Sequence, residues 1–296
     1  MGVLLAMQGA ISQGILWGIM TIGVYLTFKV LNYADLSVDG SFALGGSVSA
    51  VLIVSGMNPF LTLPFAMLAG MLAGMVTGFL HTKLKIPAIL AGILTMLALY
   101  SVNVRVMGKA NTPLLGEDTV VSIIANVLPF SKSVITMIIG TVIAIIVIIV
   151  LYWFFGTEIG STIRATGNNE YMVRALGANT DWMKITGLFI SNGLVALSGA
   201  LVAQSQGYAD VGMGIGTIVI GLASVIIGEV IFGERFNFAY KLMAVLIGSV
   251  VYRVIIAIVL QLGLKSTDLK LFTAVLVAFA LSIPIIKGKA AVLKNR

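Results

Sequence analysis

The sequence predicts an all-α, polytopic integral membrane protein, and three observations carry that expectation. The chain is 59% hydrophobic, only 10% of its 296 residues are charged, and its mean hydropathy is +1.10. A soluble domain would carry roughly a quarter charged residues. Apolar runs of bilayer-crossing length, about 20 residues each, recur from one end to the other. No polar stretch is long enough for a second folded unit, so residues 1–296 read as a single transmembrane domain.

Nine apolar runs are expected as helices, near residues 10–31, 42–55, 60–80, 86–107, 133–155, 185–204, 216–232, 239–260 and 270–286. The second is short for a span and follows the polar stretch "NYADLSVDGSF". That pairing predicts a broken or re-entrant element near residues 32–45. As helix punctuation, Asp39 and Ser41 would cap the run starting at Phe42, Gly40 would permit the turn, and Asp35 would meet water or Lys29.

Orientation follows from Lys and Arg, which concentrate on the cytoplasmic side of membrane proteins. The tail "KGKAAVLKNR", the loop at residues 156–184 and "HTKLK" fall on one face if the N-terminus is outside and the C-terminus cytoplasmic. Twelve of the eighteen Lys and Arg residues then lie on or at the edge of the cytoplasmic side. The N-terminal segment has no positive lead or small-residue cleavage site, so it is not read as a cleaved signal. The largest external segment is the loop at 107–133, which contains a short apolar patch.

The cytoplasmic loop at 156–184 is far longer than a connection requires. Within it, "NNEYMVRALGAN" reads as a short helix. Asn168 or Asn169 is its N-cap, Glu170 suits the positive N-terminal end, Arg174 follows one turn later, and Gly177 is the stop. Tyr171, Met172, Ala175 and Leu176 make one apolar stripe. Such a stripe lies on lipid headgroups or docks into a groove on a cytoplasmic partner.

Several chemistries are excluded. There is no Cys, hence no thiolate metal site or cysteine nucleophile, and the lone His81 sits in a short basic connection beside Lys83 and Lys85. No GxxxxGK[ST] phosphate loop occurs. The glycines of "GMGIG" at 212–216 lack a strand–turn–helix setting, and give a flexible or closely packed segment instead. No cofactor, metal or catalytic residue is expected. The net charge of +7 reflects orientation and not nucleic-acid binding.

The run from Ile159 to Ala203 resembles the coupling-loop region of ABC-transporter permeases of the ribose and branched-chain amino acid type. The matching residues are Gly160, Arg164, Gly167-Asn168-Asn169, Ala175, Gly177-Ala178-Asn179 and Ser198-Gly199-Ala200. "DLSVDGSF" is similar to the corresponding block of the sugar permeases. It looks closest to a subgroup that works with lipoprotein-type binding proteins for aromatic amino acids, tryptophan or tyrosine. The resemblance covers about residues 9–286 in span order and loop sizes.

The resemblance implies a transport subunit, not an enzyme, in a bacterial plasma (inner) membrane. Two copies would form the path, a dimer of cytoplasmic ATPase subunits would hydrolyse ATP, and an external solute-binding lipoprotein would deliver solute. Residues Asn168, Asn169, Glu170, Tyr171, Met172, Arg174, Ala175, Leu176 and Gly177 would form the coupling helix. Translocation-path candidates are Asp35, Ser37, Asp39, Ser41, Gln204 and Arg253. Each is a polar side chain within or beside an apolar span, where an unpaired charge costs a few kcal/mol. For Arg253 two readings stand, a packing pair with an internal acid and a contact to a solute carboxylate; Glu229 is expected to pair with Arg235 or touch the ATPase. Small-residue spacings such as "GMLAG" are read as helix packing. A sugar or nucleoside importer is the alternative, and an ion-coupled secondary transporter a more distant one.

Overall fold

The computed structural model describes residues 2–233, 237–263, 268–269, 271–279 and 282. Helix α1 (Gly2–Tyr25) runs on into a π-helical turn at Leu26–Val30. After a break come α2 (Val38–Val54), α3 (Pro59–Thr82) and α4 (Ala88–Met107). The connection that follows holds strand β1 (Asn111–Pro113) and α5 (Val120–Val127), and leads into α6 (Lys132–Gly156). Two short helices, α7 (Glu158–Asn168) and α8 (Glu170–Ala175), precede α9 (Thr180–Gln206). Strand β2 (Tyr208–Asp210) pairs antiparallel with β1, and α10 (Thr217–Phe232) and α11 (Phe238–Gln261) follow.

Among the described residues, six helices are long and apolar enough to cross a membrane, and α2 and α10 are shorter apolar helices. At 1.5 Å per residue, the sixteen residues of α10 reach about 24 Å against a hydrocarbon core of about 30 Å. Of the ninth expected span, at 270–286, residues 271–279 and 282 are described and are helical.

Helix α9 is the hub and packs on α1, α2 and α3. Its small-residue face allows backbones to touch where bulky side chains would hold them apart. A Cβ on Gly45 of α2 would collide with the Ala196 carbonyl, and one on Gly70 of α3 with that of Asn192. Gly199 of α9 abuts the Phe42 carbonyl in the same way. The small-residue spacings therefore serve close packing.

Two expectations need correction. Helix α2 starts at Val38, four residues before the expected start, and Ser37 occupies its N-cap position. Asp39 and Ser41 lie inside the helix and do not cap it. The loop at 156–184 holds two helices where one was expected. Glycines at 160 and 167 lower the helical signal of α7, yet both are needed because the backbone there lies against Phe154–Phe155 and Val30–Leu31.

The packing yields a direct test. Gly45→Ala should lower the detergent melting temperature, since forcing the α2–α9 seam apart costs about 1–3 kcal/mol and outweighs the helix-propensity gain. Gly9→Ala, where nothing lies within 4 Å of the added carbon, should leave it unchanged.

Candidate functional site

The break between α1 and α2 spans Leu31–Ser37, and side chains stitch it to the bundle. The Tyr33 hydroxyl donates to the Ala88 carbonyl at 3.2 Å, and its ring meets His81 edge-on. The Asp35 carboxylate is buried at 2% exposure. Its Oδ1 accepts from the Ser37 amide at 2.9 Å and the Ser37 hydroxyl at 2.6 Å, and its Oδ2 from Asn192 Nδ2 at 2.8 Å. Asp35 thus ties the break to α9. Lys29 does not meet it; its ammonium pairs with Glu229 of α10 at 2.7 Å. Arg235, the other expected partner of Glu229, lies outside the described residues.

Asp39 caps a different helix from the one expected. Its Oδ2 accepts from the Gly216 amide at 2.8 Å, and its Oδ1 from the Thr217 hydroxyl at 2.8 Å and the Ile218 amide at 2.9 Å. These are donors at the start of α10. A helix leaves its first amides unpaired, and a membrane interior holds no water to satisfy them. A carboxylate also suits the positive end of the helix dipole. "GMGIG" makes the approach possible: a side chain on Gly214 would strike the Asp39 carbonyl, and Gly216 has φ +85°. Ser41 is fully buried and its hydroxyl has no partner among the described residues.

Gln204 sits at the end of the bundle that carries the two strands, away from the break. Its Nε2 bonds to the Ser49 and Thr62 hydroxyls at 3.0 and 3.1 Å and to the Pro59 carbonyl at 3.3 Å. Its Oε1 accepts from the Val120 amide at 2.9 Å, which ties α5 to α2, α3 and α9. Arg253 stands apart again, its guanidinium stacked 3.9 Å above the Trp17 ring. Trp17 in turn stacks on Phe42 of α2 at 4.9 Å. The structure joins Asp35 and Ser37 at the break, sends Asp39 to the start of α10 and leaves Ser41 outside both contacts, whereas Gln204 and Arg253 belong to separate clusters. Sequence reading missed Asn192, although an Asn inside the small-residue run "SNGLVALSGA" was a visible signal.

At the opposite end of the bundle, Asn169 and not Asn168 caps α8, accepting from the Met172 amide at 3.1 Å, and Gly177 follows its last turn at φ +85°. Asn168 closes α7. Ions anchor the helix: Glu170 receives Arg174 and Lys184, each at 2.6 Å, and Asp181 receives Lys83 at 3.3 Å and Arg174 at 3.6 Å. Partial burial pushes the Glu170 carboxyl up, but the hydrogen bond and charge of Lys184, with Arg174 and the Thr180 hydroxyl, outweigh it. The net effect holds Glu170 below its ordinary value. Val173 faces inward, while Tyr171 and Leu176 stand 84% and 78% exposed, with Met172 and Ala175 also outward. A cleft of about 400 Å³ lies between this helix and the break, lined among others by Asn32, Tyr33, His81 and Gly167.

A family profile described as the permease component of the branched-chain amino acid transport system matches residues 6–282. The chain belongs to this permease family. A tyrosine transport system permease protein of Clostridioides difficile (strain R20291) is 42% identical to the permease over 92% of this chain and 90% of the relative. The ribose import permease of Haemophilus influenzae (strain ATCC 51907 / DSM 11121 / KW20 / Rd) is 27% identical over 61% of this chain and 56% of its own length. A probable branched-chain amino acid transport permease of Methanocaldococcus jannaschii (strain ATCC 43067 / DSM 2661 / JAL-1 / JCM 10045 / NBRC 100440) is 23% identical over 68% and 67%. The permease is therefore a multi-pass membrane component of an ABC-type importer, and not an enzyme.

Two expected outcomes follow from these contacts. Asp39→Ala strips the first amides of α10 of their acceptor and should cost about 1–3 kcal/mol in thermal stability, with Asp39→Asn losing less. Because Glu170 is held low, its stabilisation is complete above the ordinary glutamate pKa of about 4.3 and is lost as pH falls through the lowered value. Protection factors of the amides at residues 170–176, with the intrinsic pH dependence of exchange divided out, should match at neutral pH and about pH 5.5, then fall below about pH 4. Glu170→Gln should flatten that dependence.

Proposed function

We propose that this permease imports an amino acid, an aromatic one of the tyrosine type, across a bacterial plasma membrane. It does so as a homodimer with a cytoplasmic ATPase dimer and an external solute-binding lipoprotein. Its N-terminus is outside, its C-terminus cytoplasmic, and residues 1–296 act as a single transmembrane domain. The substrate class rests on the 42% identity to a tyrosine permease over nearly the full length of both chains. The ribose relative keeps a sugar as the second reading, at lower identity and coverage.

The observation that carries the mechanism is the outward stripe of α8 on a helix whose inner face is fixed by ions. Tyr171, Met172, Ala175 and Leu176 offer an apolar surface of the kind that inserts into a groove, while Glu170 and Arg174 lock the helix to Lys184 and Asp181. Closure of the ATPase dimer pushes this helix. The preceding helix, α7, lies against Val30 and Leu31 through Gly167, so the push arrives at the break. Lys29 before the break and Asp39 after it hold opposite ends of α10, and the half-helix follows. The path runs beside α2 and α10. Asp35, Ser37, Asp39 and Ser41 shape its wall at the break, Gln204 frames its outer end, and Arg253 faces it from α11.

Replacing Tyr171, Met172 and Leu176 together by Ser should abolish co-purification of the ATPase subunit and solute-dependent ATP hydrolysis. The melting temperature of the isolated permease should stay within a few degrees of the parent, because these side chains touch little within the chain. Retained ATPase binding in that variant would remove the docking role of α8.

A further inference from the structure

The α1–α11 seam holds a cluster of polar groups whose hydrogen-bonding capacity is not fully met among the described residues. Arg253, more than halfway along α11, has neither a hydrogen bond nor an ion pair among the described residues, and its Nε is buried without a partner. Trp17, 7% exposed beneath it, has an indole N–H with no acceptor among the described residues. One turn away on the same face of α1, Gln13 donates its Nε2 to the Ser205 hydroxyl at 3.4 Å and leaves Oε1 buried and unbonded. The expected packing acid for Arg253 is absent among the described residues. Buried donors and acceptors are nearly always paired, and a bare arginine is costly in a membrane interior. Three adjacent exceptions need a common cause.

We infer that Gln13, Trp17 and Arg253 form a binding site for the zwitterionic head of an α-amino acid, resting on the importer reading above. The complement matches in number and sign. The guanidinium edge bearing Nε and the indole N–H donate to the two carboxylate oxygens, and Gln13 Oε1 accepts from the ammonium. Stacking on the Trp17 ring fixes the guanidinium plane, and Phe42 behind Trp17 fixes the ring. The side chain of the solute needs no recognition here. The positive end of α10 is not a rival anion site, because Asp39 already occupies it. A neutral sugar would leave the cation unpaired, so the site selects amino acids over pentoses. The orphaned atoms are closed off from water in this conformation, and α11 must part from α1 for the solute to reach them.

The test uses the complete transporter, with ATPase and binding protein, in proteoliposomes supplied with radiolabelled L-tyrosine. Arg253→Gln and Trp17→Phe should each lower uptake about tenfold or more, as expected when charge-assisted hydrogen bonds are removed from a closed site. Arg253→Lys should recover only part, because an ammonium lacks the two-pronged edge. Alongside, L-tyrosine should raise the melting temperature of the purified permease, whereas tyramine, which lacks the carboxylate, should not. Uptake by Trp17→Phe and Arg253→Gln equal to the parent overturns the site and leaves the importer reading intact. Absence of amino acid uptake by the parent protein overturns both. Dissociation of the permease dimer in Arg253→Gln, reversed by Arg253→Lys, assigns Arg253 to an ion pair between copies and overturns the site.

Discussion

A helix that begins inside a membrane must find acceptors for its first amides within the protein, and that requirement organises this permease. Helix α10 starts at Thr217, too short to span, and Asp39 of α2 receives the amides of Gly216 and Ile218. Water would do this at no structural cost outside the bilayer, but the hydrocarbon core offers none. The carboxylate must therefore be carried to the spot by another element. Helix α2 begins only one residue before Asp39 because the chain has broken at Leu31–Ser37. The break is held against the bundle because Asp35, Ser37 and Asn192 satisfy one another across to α9. One unmet need is thus answered by a chain of others, ending at a glycine-lined seam where backbones touch.

Two clusters follow opposite rules. Around Gln204, both the amide nitrogen and the carbonyl oxygen are engaged, and the group brackets four elements rigidly. Around Arg253, Trp17 and Gln13, three atoms are desolvated with no partner. Satisfied polar networks in low dielectric stiffen a fold, and unsatisfied ones weaken it. The contrast separates a fully bonded polar cluster from one with open hydrogen-bonding capacity in a way that residue type alone does not, since both are polar groups in apolar spans.

Much of this was legible in the sequence. The spans show because bilayer thickness sets the length of every apolar run. The break shows because two carboxylates and a glycine interrupt those runs. Helix α8 shows because Asn169 and Gly177 punctuate it with ordinary capping chemistry. What escaped was mostly long-range. Asp39 and its helix lie 177 residues apart in the chain, so it read as the cap of its own neighbour. Lys29 found Glu229 and not the nearer Asp35. Helix α7 was hidden by glycines that its contacts with Phe154 and Val30 demand. The bareness of Arg253 has no sequence signature, because it consists of what is missing around it.

Lys29 and Asp39, ten positions apart, grip opposite ends of α10. A rod held at both ends by one short segment cannot tilt or slide relative to that segment. The segment from Lys29 to Asp39 and the half-helix are therefore joined at two points, one near each end of α10. On the approach, Gly207 and Gly216 both sit at positive φ, and Gly233 does so on the departure. Three glycines at positive φ thus bracket α10 in the chain, and contacts from one short segment hold the helix between them.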